Sequence, residues 1–375
     1  MAGLYIHVPF CLRRCKYCDF YSVALEGGAR AKPDTFLDAL DRELAGLPND
    51  FAPETVFMGG GTPTALSDVQ LARLFQSLKN HVDLRRVTEW SCEANPGTLN
   101  REKARLLLES GVNRVSLGVQ SFDPQNLAFL GRIHSSAEAR DSYLLLRDTG
   151  FRNINLDLIY GIPGSSRAVL ERDLDHIVNL APEHVATYCL IFEEGTPITK
   201  LRDKGEIAEV DDDEELEHYR LVRETLQVAG YDHYEISNFA KPGFECLHNH
   251  LYWSGGEYIG VGPAAHSHQR GLRYANMADL SEYCRALLKG ESVRVSEERL
   301  DPEAKARETL IMLLRRLKGL SRDAFKTQTG FDYRDLRGKE IDWLCELGLL
   351  EETGGNLRLT EKGLFVSDSV FAELV

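Results

Sequence analysis

Three of the chain's eight cysteines lie within eight positions, in the stretch PFCLRRCKYCDFYS. They are Cys11, Cys15 and Cys18, and their spacing is C-x3-C-x2-C. The remaining cysteines are scattered singly, at positions 92, 189, 246, 284 and 345. Such a distribution does not resemble a disulfide framework, and in a reducing compartment thiols clustered in this way indicate a metal centre.

Composition limits the compartment and the classes of partner. The N-terminal stretch MAGLYIHVPFC has no cationic segment and no apolar run long enough for a secretory signal. No stretch elsewhere approaches about 18 unbroken apolar residues. We therefore expect a cytoplasmic protein without a membrane-spanning segment. The net charge of −14 argues against non-specific nucleic-acid binding, which requires a basic surface.

Short apolar, β-rich segments alternate with amphipathic helical segments over most of the chain, which is typical of βα units on a parallel sheet. Strands are predicted near residues 3–8, 55–58, 88–93, 113–119, 152–159, 184–191 and 231–237. Helices are predicted near residues 34–47, 67–80, 100–110, 135–149, 166–180 and 212–229. A closed barrel has eight such units, so the predicted fold class is α/β, with a partial, open β/α barrel of about six units.

The predicted strands carry polar residues on one face. In RNINLDLI, Asn155 and Asp157 share a face opposite the apolar residues, and in RVSLGVQ the same holds for Ser116 and Gln120. Glu93 occupies the equivalent face of WSCEAN. A tightly packed barrel interior would not tolerate such groups without partners. We therefore predict a polar ligand cavity inside the barrel, with half-exposed antiparallel strands as the alternative.

The three clustered thiols leave the identity of a fourth ligand open. A structural zinc site takes four protein ligands, usually from two paired half-sites, and no second C-x2-C occurs in the sequence. His7 could supply a fourth ligand, although a pocket or core position suits it better. Three thiolates on a [4Fe–4S] cluster would leave one iron open to a substrate or cofactor.

Six segments carry a resemblance to a known family. In order and at similar spacing, they resemble the radical S-adenosylmethionine (SAM) superfamily, and within it the branch of oxygen-independent coproporphyrinogen III oxidases and HemW-type heme chaperones. The segments are LYIHVPFCLRRCKYCDFYS, MGGGTPT, CEANPGT, RVSLGVQSF, NLDLIYGIPG and EISNFAKPGFECLHNHLYW. This resemblance implies a [4Fe–4S] cluster on the three cysteines, with SAM chelating the open iron.

The resemblance also implies a set of SAM-binding residues. The set is Tyr5, Tyr17, Gly60, Gly61, Thr62, Glu93, Gln120, Arg132 and Asp157. The glycines would let backbone groups approach the methionyl amino group, and the carboxylates suit ribose hydroxyls as acceptors. The Arg132 guanidinium could hold a cofactor carboxylate in bidentate fashion. Whether one or two SAM molecules bind stays open.

Residues 246–253, CLHNHLYW, resemble the HNxxYW segment that is associated with heme in HemW-type proteins. A neutral imidazole is a common axial ligand of heme iron, and the two aromatic residues offer apolar surface to a porphyrin. His248 is the predicted ligand, with Cys246 and His250 as alternatives. The competing interpretation is a hydrogen-bonded lid over the barrel mouth. For His266 and His268 we favour structural roles.

Two departures from the oxidase pattern decide between the branches. The oxidases have a further cysteine two residues beyond the third, where this chain has Phe20. They also carry an N-terminal extension, whereas this sequence starts almost directly on the first strand. We therefore predict a heme carrier that transfers heme to an unidentified acceptor protein, with oxygen-independent coproporphyrinogen III oxidase as the alternative. Whether SAM is cleaved stays open.

The alternation of strand and helix segments ends near residue 275. This predicts one domain over residues 1–275 and a second over residues 276–375. Helices near 279–289, 302–316, 321–328 and 334–347, followed by LLEETGGNLRLTEKG, predict a smaller helical domain resembling a winged helix, closed by a two-stranded wing with a glycine turn. Residues 301–375 contain 12 Lys and Arg against 14 Asp and Glu, a net charge of −2. This charge is unfavourable for binding phosphates, so we expect the domain to pack on the barrel or on a protein partner.

Overall fold

The computed structural model describes residues 2–25 and 32–375. Its strands are β1 (Ala2–Val8), β2 (Phe10–Cys11), β3 (Val23–Ala24), β4 (Thr55–Gly60), β5 (Glu89–Ala94), β6 (Arg114–Gln120), β7 (Ile154–Tyr160), β8 (His184–Cys189), β9 (Asp232–Glu235), β10 (Asn238–Ala240), β11 (Glu257–Val261), β12 (His266–Gln269), β13 (Leu272–Asn276), β14 (Arg294–Arg299), β15 (Leu320–Ser321), β16 (Leu350–Thr353) and β17 (Asn356–Leu359).

Its helices connect these strands. They are α1 (Pro33–Ala45), α2 (Asp68–His81), α3 (Arg101–Ser110), α4 (Pro124–Leu130), α5 (Ser136–Thr149), α6 (Arg167–Leu180), α7 (Pro197–Asp203), α8 (Asp212–Val228), α9 (Leu247–Trp253), α10 (Leu280–Lys289), α11 (Pro302–Leu314), α12 (Arg322–Thr329), α13 (Tyr333–Glu346), α14 (Glu361–Phe365) and α15 (Ser367–Leu374). Within the described ranges, no helix combines the length and the apolar composition that a membrane crossing requires.

One large sheet has the strand order β14-β13-β12-β11-β1-β4-β5-β6-β7-β8-β10-β9. The strands from β11 to β8 run parallel, and antiparallel strands extend both ends. The end strands β14 and β9 do not pair with each other, so the barrel is open. The predicted α/β fold class with an open β/α barrel is therefore confirmed.

The strand predictions differ from the structure near both ends of the sheet. Of the stretch predicted as one strand, residues 231–237, Asp232–Glu235 form β9, and the next two residues form the turn to β10, which was not predicted. So short a connection cannot join parallel strands, and the two strands are antiparallel. The strand β11, which pairs in parallel with β1, was not predicted either. The glycines around it in GGEYIGVG obscure its strand pattern.

The parallel strands separate an apolar outer layer from a polar interior. On β6, Val115 and Leu117 are fully buried in the hydrophobic core with the surrounding helices. The intervening Ser116, Gly118 and Gln120 face the cavity enclosed by the sheet. The alternation read from the sequence therefore marks the two faces, and the predicted polar interior is present.

The junction between β1, β2 and β4 places the first cysteine. Gly61 donates its backbone N–H to Val8 (2.9 Å), and Thr62 donates to Phe10 (2.6 Å). A Cβ atom on Gly61 would lie 2.6 to 2.8 Å from the Val8 oxygen and the Phe10 backbone. Only glycine allows this close approach of two chain segments. Cys11, at the end of β2, is thereby fixed beside the end of β4.

The sheet continues past the predicted domain boundary. Residue 275 lies inside β13, which pairs with β14, so the chain leaves the sheet only after Arg299. The helices from α11 onward then accompany a small sheet of order β15-β17-β16. The predicted glycine turn joins β16 to β17, but the small sheet has three strands where the sequence predicted two.

Replacement of Gly61 by alanine tests the junction. We expect Gly61→Ala to lower the free energy of unfolding by about 1–3 kcal/mol or more, because the added methyl group overlaps rigid backbone atoms. In the matched control Gly338→Ala, the methyl group meets nothing within 4 Å and replaces glycine inside α13. This control should raise the free energy of unfolding by about 0.4–1 kcal/mol. Urea denaturation measures both, and equal stabilities would contradict the packing argument.

Candidate functional site

A cavity of about 440 Å³ lies inside the barrel, at the ends of the parallel strands. This volume suits one ligand of the size of a small cofactor. Most of the predicted residues line it, namely Cys11, Cys15, Cys18, Tyr17, Gly60, Gly61, Thr62, Glu93, Gln120, Arg132 and Asp157. Tyr5 and His248 do not belong to this wall and are described below.

The cysteine loop is held by main-chain hydrogen bonds. Leu25 donates to the carbonyl of Cys11 (2.8 Å), Lys16 donates to that of Leu130 (3.0 Å), and Ile198 donates to that of Lys16 (3.1 Å). Tyr17 packs against the small apolar cluster that contains Leu130 and Ile198. The loop is thus positioned by β3, by the end of α4 and by the start of α7, and its three thiols are half-buried at the cavity edge.

The thiols have the surroundings of iron ligands. Thr62 donates to Cys11 Sγ (3.5 Å), and Arg132 Nη1 donates to Cys15 Sγ (3.3 Å). Burial raises the pKa of Cys18 to about 12, so its thiolate needs a cation beside it. A [4Fe–4S] cluster takes each thiolate on a different iron, so the three thiols are a donor set of the kind that such a cluster uses.

Two half-buried carboxyl groups, those of Glu93 and Asp157, line the same cavity. Burial and the nearby charge of Asp157 raise the pKa of Glu93 to about 8. Burial also raises the pKa of Asp157 to about 6, although Asn155 (2.6 Å) and Ser116 (3.3 Å) donate hydrogen bonds to it. Such a pair favours a ligand that brings hydroxyl donors or positive charge. The ribose and the sulfonium of SAM supply both.

Arg132 joins the cysteine loop to the inner face of the sheet. Its Nη2 donates to Asn95 Oδ1 and to the carbonyl of Gly118, while its Nη1 donates to Cys15. Its Nε is buried and has no partner among the described residues. The guanidinium is therefore fixed in place, with its Nε–H left without a protein partner in the described part of the chain.

Gln120 ends β6 in an unusual backbone conformation. Its φ is +67°, a left-handed value that is unfavourable for residues other than glycine. The register of β6 against β7 shifts between Leu117 and Gln120, so this residue departs from the regular ladder. Its side chain lines the cavity. Strain of this kind persists where a site requires a particular orientation.

The glycines of GGGTP are explained by packing within the protein. A Cβ atom on Gly60, whose φ is +91°, would lie 2.4 Å from the His7 ring. A Cβ atom on Gly59 would meet the Glu93 carboxyl at 2.6 Å. The backbone of Gly60 and Gly61 still borders the cavity. Their predicted approach to the SAM amino group stays a prediction.

His7 has no free ring nitrogen. Its Nε2 donates to the Tyr21 carbonyl (2.8 Å), and its Nδ1 accepts from the Tyr5 hydroxyl (3.2 Å). Burial lowers the pKa of His7, so the ring is neutral. His7 is thus a buried structural histidine, as favoured above, and Tyr5 orients it from outside the cavity wall. The SAM contact predicted for Tyr5 remains a prediction.

The HNHLYW segment forms helix α9, and His248 is fully buried in it. Its Nδ1 lies 2.8 Å from Thr55 Oγ1, and its Nε2 lies 2.9 Å from the Tyr252 hydroxyl. Burial lowers the pKa of His248 to about 3. Both nitrogens are thus engaged, and iron coordination would require the loss of one hydrogen bond. The helix lies against Gly3, Thr55 and Glu89 at the amino ends of β1, β4 and β5, whereas the cysteine loop follows the carboxyl ends, so α9 is hydrogen-bonded but is not a lid over the cluster end of the barrel.

The two alternative ligands have different surroundings. Cys246 is buried, lines the cavity and lies 3.5 Å from Glu89 Oε1, and burial raises the pKa of its thiol to about 12. His250 is half-buried, with its ring centroid 5.1 Å from that of Tyr234. Neither the Cys246 thiol nor the His250 imidazole is openly exposed to solvent.

Arg114 is a cavity residue that was not predicted from the sequence. This buried residue lines the cavity, donates from Nη1 to Asn153 (3.0 Å) and has a buried Nε without a partner among the described residues. It shares a strand face with Ser116 and Gln120, so the same alternation could have revealed it. Tyr188 was also missed. It lines the cavity with 45% of its surface exposed, at the end of β8.

Comparisons with known proteins match both parts of the chain. Residues 5–177 match the family model of the Radical SAM superfamily, and residues 300–366 match that of the HemN C-terminal domain. The crystal structure of coproporphyrinogen III oxidase (HemN) from Escherichia coli is similar in fold, with a TM-score of 0.86 and 22% identity, covering 100% of this chain and 89% of that one. The match over residues 5–177, together with the cysteine loop, identifies a radical SAM protein.

Similar proteins of known name identify the family within this superfamily. The chain is 34% identical to "Heme chaperone HemW" of Lactococcus lactis, covering 99% of this chain and 96% of the relative. It is 38% identical to "Heme chaperone HemW" of Mycobacterium tuberculosis, covering 100% of this chain and 94% of the relative. The chain therefore belongs to the HemW family of radical SAM proteins. Its radical SAM domain implies a [4Fe–4S] cluster and SAM.

Substitution of the loop cysteines tests the cluster. We expect Cys11→Ala, Cys15→Ala and Cys18→Ala each to abolish the brown chromophore of the anaerobically purified protein, because each thiolate holds a separate iron. Cys345→Ala, in α13, is the control and should keep about four irons per chain. Iron and sulfide assays measure the outcome. A triple variant that retains a full complement of iron would contradict the assignment.

The raised pKa of Glu93 predicts a pH-dependent stability in the cluster-free protein. Between about 4.3, the pKa of an unfolded glutamate, and about 8, its folded value, the native state binds more protons than the unfolded state. The free energy of unfolding should therefore fall as pH rises through this window, by at most about 1.4 kcal/mol per unit from this group.

Glu93→Gln should remove this contribution, so the variant gains stability over the wild type as pH rises from 5 to 8. The exposed Glu373→Gln serves as the control and should follow the wild type. Urea denaturation at several pH values measures both differences. Parallel curves for Glu93→Gln and the wild type would show that Glu93 does not titrate in this window.

Proposed function

We propose that this chain is a heme chaperone, which binds heme and transfers it to an acceptor protein. The observation that carries the proposal is the similarity over the full length of the chain to proteins named "Heme chaperone HemW". The presence of Phe20, where the oxidase branch has a further cysteine, supports the same branch. The acceptor is a protein of unidentified sequence.

The barrel cavity is the proposed site of the cluster and SAM. Cys11, Cys15 and Cys18 would hold the cluster, and the bound pair would supply one-electron chemistry. Arg132 fixes the Cys15 side of the loop and offers its free Nε–H to a carboxylate. Glu93 and Asp157 provide acceptors inside the cavity. These side chains bind and orient the cofactor, and their burial excludes water from it.

Oxygen-independent coproporphyrinogen III oxidation is the second candidate function. One observation favours it: Phe20, Tyr188 and Ile191 line the cavity with 64%, 45% and 65% of their surfaces exposed, and so form an apolar mouth. An apolar mouth beside the cluster loop could receive a porphyrinogen ring. Against it, Phe20 offers no thiol at the position where the oxidases have one.

Hemin titration of the anaerobically purified chain tests the proposed function. We expect a Soret band that saturates near one heme per chain, and transfer of that heme to an apo-hemoprotein on mixing. In parallel, coproporphyrinogen III is supplied with SAM and a reductant, and the decarboxylated product is assayed. Little or no product is expected. Efficient conversion to protoporphyrinogen IX, without heme binding, would replace the chaperone proposal by the oxidase alternative.

A further inference from the structure

A second cleft lies outside the barrel, between the HNHLYW helix and the C-terminal helices. It has a volume of about 190 Å³. Tyr252 and Trp253 of α9 and Tyr258 of β11 provide aromatic walls, and Met312 of α11 adds a thioether. The two aromatic residues of the HNxxYW segment thus border this cleft rather than the SAM cavity.

His268 of β12 lines this cleft with one ring nitrogen free. The side chain is 6% exposed, and its Nδ1 donates to the carbonyl of Gly256 (3.0 Å). Its Nε2 is buried and has no partner among the described residues. A ring N–H fixed on a backbone carbonyl is the usual support of a metal-ligating histidine, because it leaves the other nitrogen's electron pair for the metal. His248 lacks this arrangement, since both of its nitrogens are engaged.

Basic groups surround the cleft, in a chain whose net charge is −14. Arg273 and Lys305 line it and share a single carboxylate, that of Glu308, so the trio carries one excess positive charge. The guanidinium of Arg315 lies 4.4 Å from the centre of the Trp253 ring. This corner of the molecule is therefore suited to one anionic group beside an aromatic surface.

The geometry points to this cleft as the heme site, an inference that rests on the proposed function. One edge of the porphyrin lies against Tyr252 and Trp253, a propionate binds Arg273 and Lys305, and the iron binds His268 Nε2. The cleft is smaller than the macrocycle, so the opposite edge stays in solvent, where an acceptor protein can reach it. The barrel cavity, at about 440 Å³, is then left to SAM.

Entry of heme requires the cleft to widen. The Nε2 atom of His268 is sealed from solvent in the described structure, so the iron reaches it only after lining side chains move. Met312 of the wall has an unbranched, flexible side chain that changes rotamer at low cost. Glu308 must also share its two cations with the incoming propionate.

Hemin titration of the full chain with its cluster in place tests the assignment. In His268→Ala we expect affinity to fall roughly 10- to 100-fold and the Soret maximum to shift, because the nitrogen ligand is lost. Added imidazole should restore the wild-type maximum in this variant, which a merely structural role would not produce. His266→Ala is the matched control, since His266 lies two residues away on the same strand and is exposed. It should bind like the wild type.

The propionate contact has its own test. Lys305→Ala should weaken the binding of hemin, but it should not weaken the binding of hemin whose propionates are esterified. Iron content and SAM affinity of each variant show that the barrel is intact. If the wild type binds no heme, the proposed function fails. The other outcome is a wild type that binds heme with a Soret band that is lost in His248→Ala but kept in His268→Ala and Lys305→Ala. That result would support the chaperone function and would overturn this cleft as the heme site.

Discussion

A polar face lies inside this barrel largely because its side chains form hydrogen bonds with one another. Asn155 donates to Ser116 (2.7 Å) and to Asp157 (2.6 Å), while its oxygen lies 2.6 Å from His184 Nδ1. His184 Nε2 lies 2.8 Å from the Tyr234 hydroxyl. An unsatisfied group in this position would cost about 1–3 kcal/mol. The network therefore keeps the cavity polar and open while the outer face packs against the helices.

The same network reaches the HNHLYW helix. Tyr234 accepts from the backbone of Cys246 (3.3 Å), the residue that precedes α9. Glu89, at the start of β5, accepts from the backbone N–H groups of Leu247 and His248, both at 3.0 Å. A carboxylate at this end also complements the helix dipole. The barrel interior and the proposed heme cleft thus share one supporting set of buried hydrogen bonds, and α9 separates them.

The inner face was predictable because strand side chains alternate with a period of two, and Ser116 and Asp157 follow this rule. The cysteine loop was predictable from spacing alone. By contrast, the need for Gly60 arises from the His7 ring, a contact between segments about fifty residues apart that a single sequence does not reveal. One ring nitrogen of His268 is free because the other donates to the Gly256 carbonyl, and residues of α11 complete the cleft around the ring. Neither contact is visible in the sequence, which is why a structural role was predicted for His268.

The main-chain bonds of the cysteine loop have a consequence for maturation. Lys16 is tied to Leu130 and Ile198, and Cys11 to Leu25, through backbone groups that do not involve sulfur. The backbone of the loop therefore rests on main-chain contacts as well as on its thiolates. Rebuilding a cluster that oxygen has destroyed would then require iron, sulfide and reduced thiols rather than refolding of the loop.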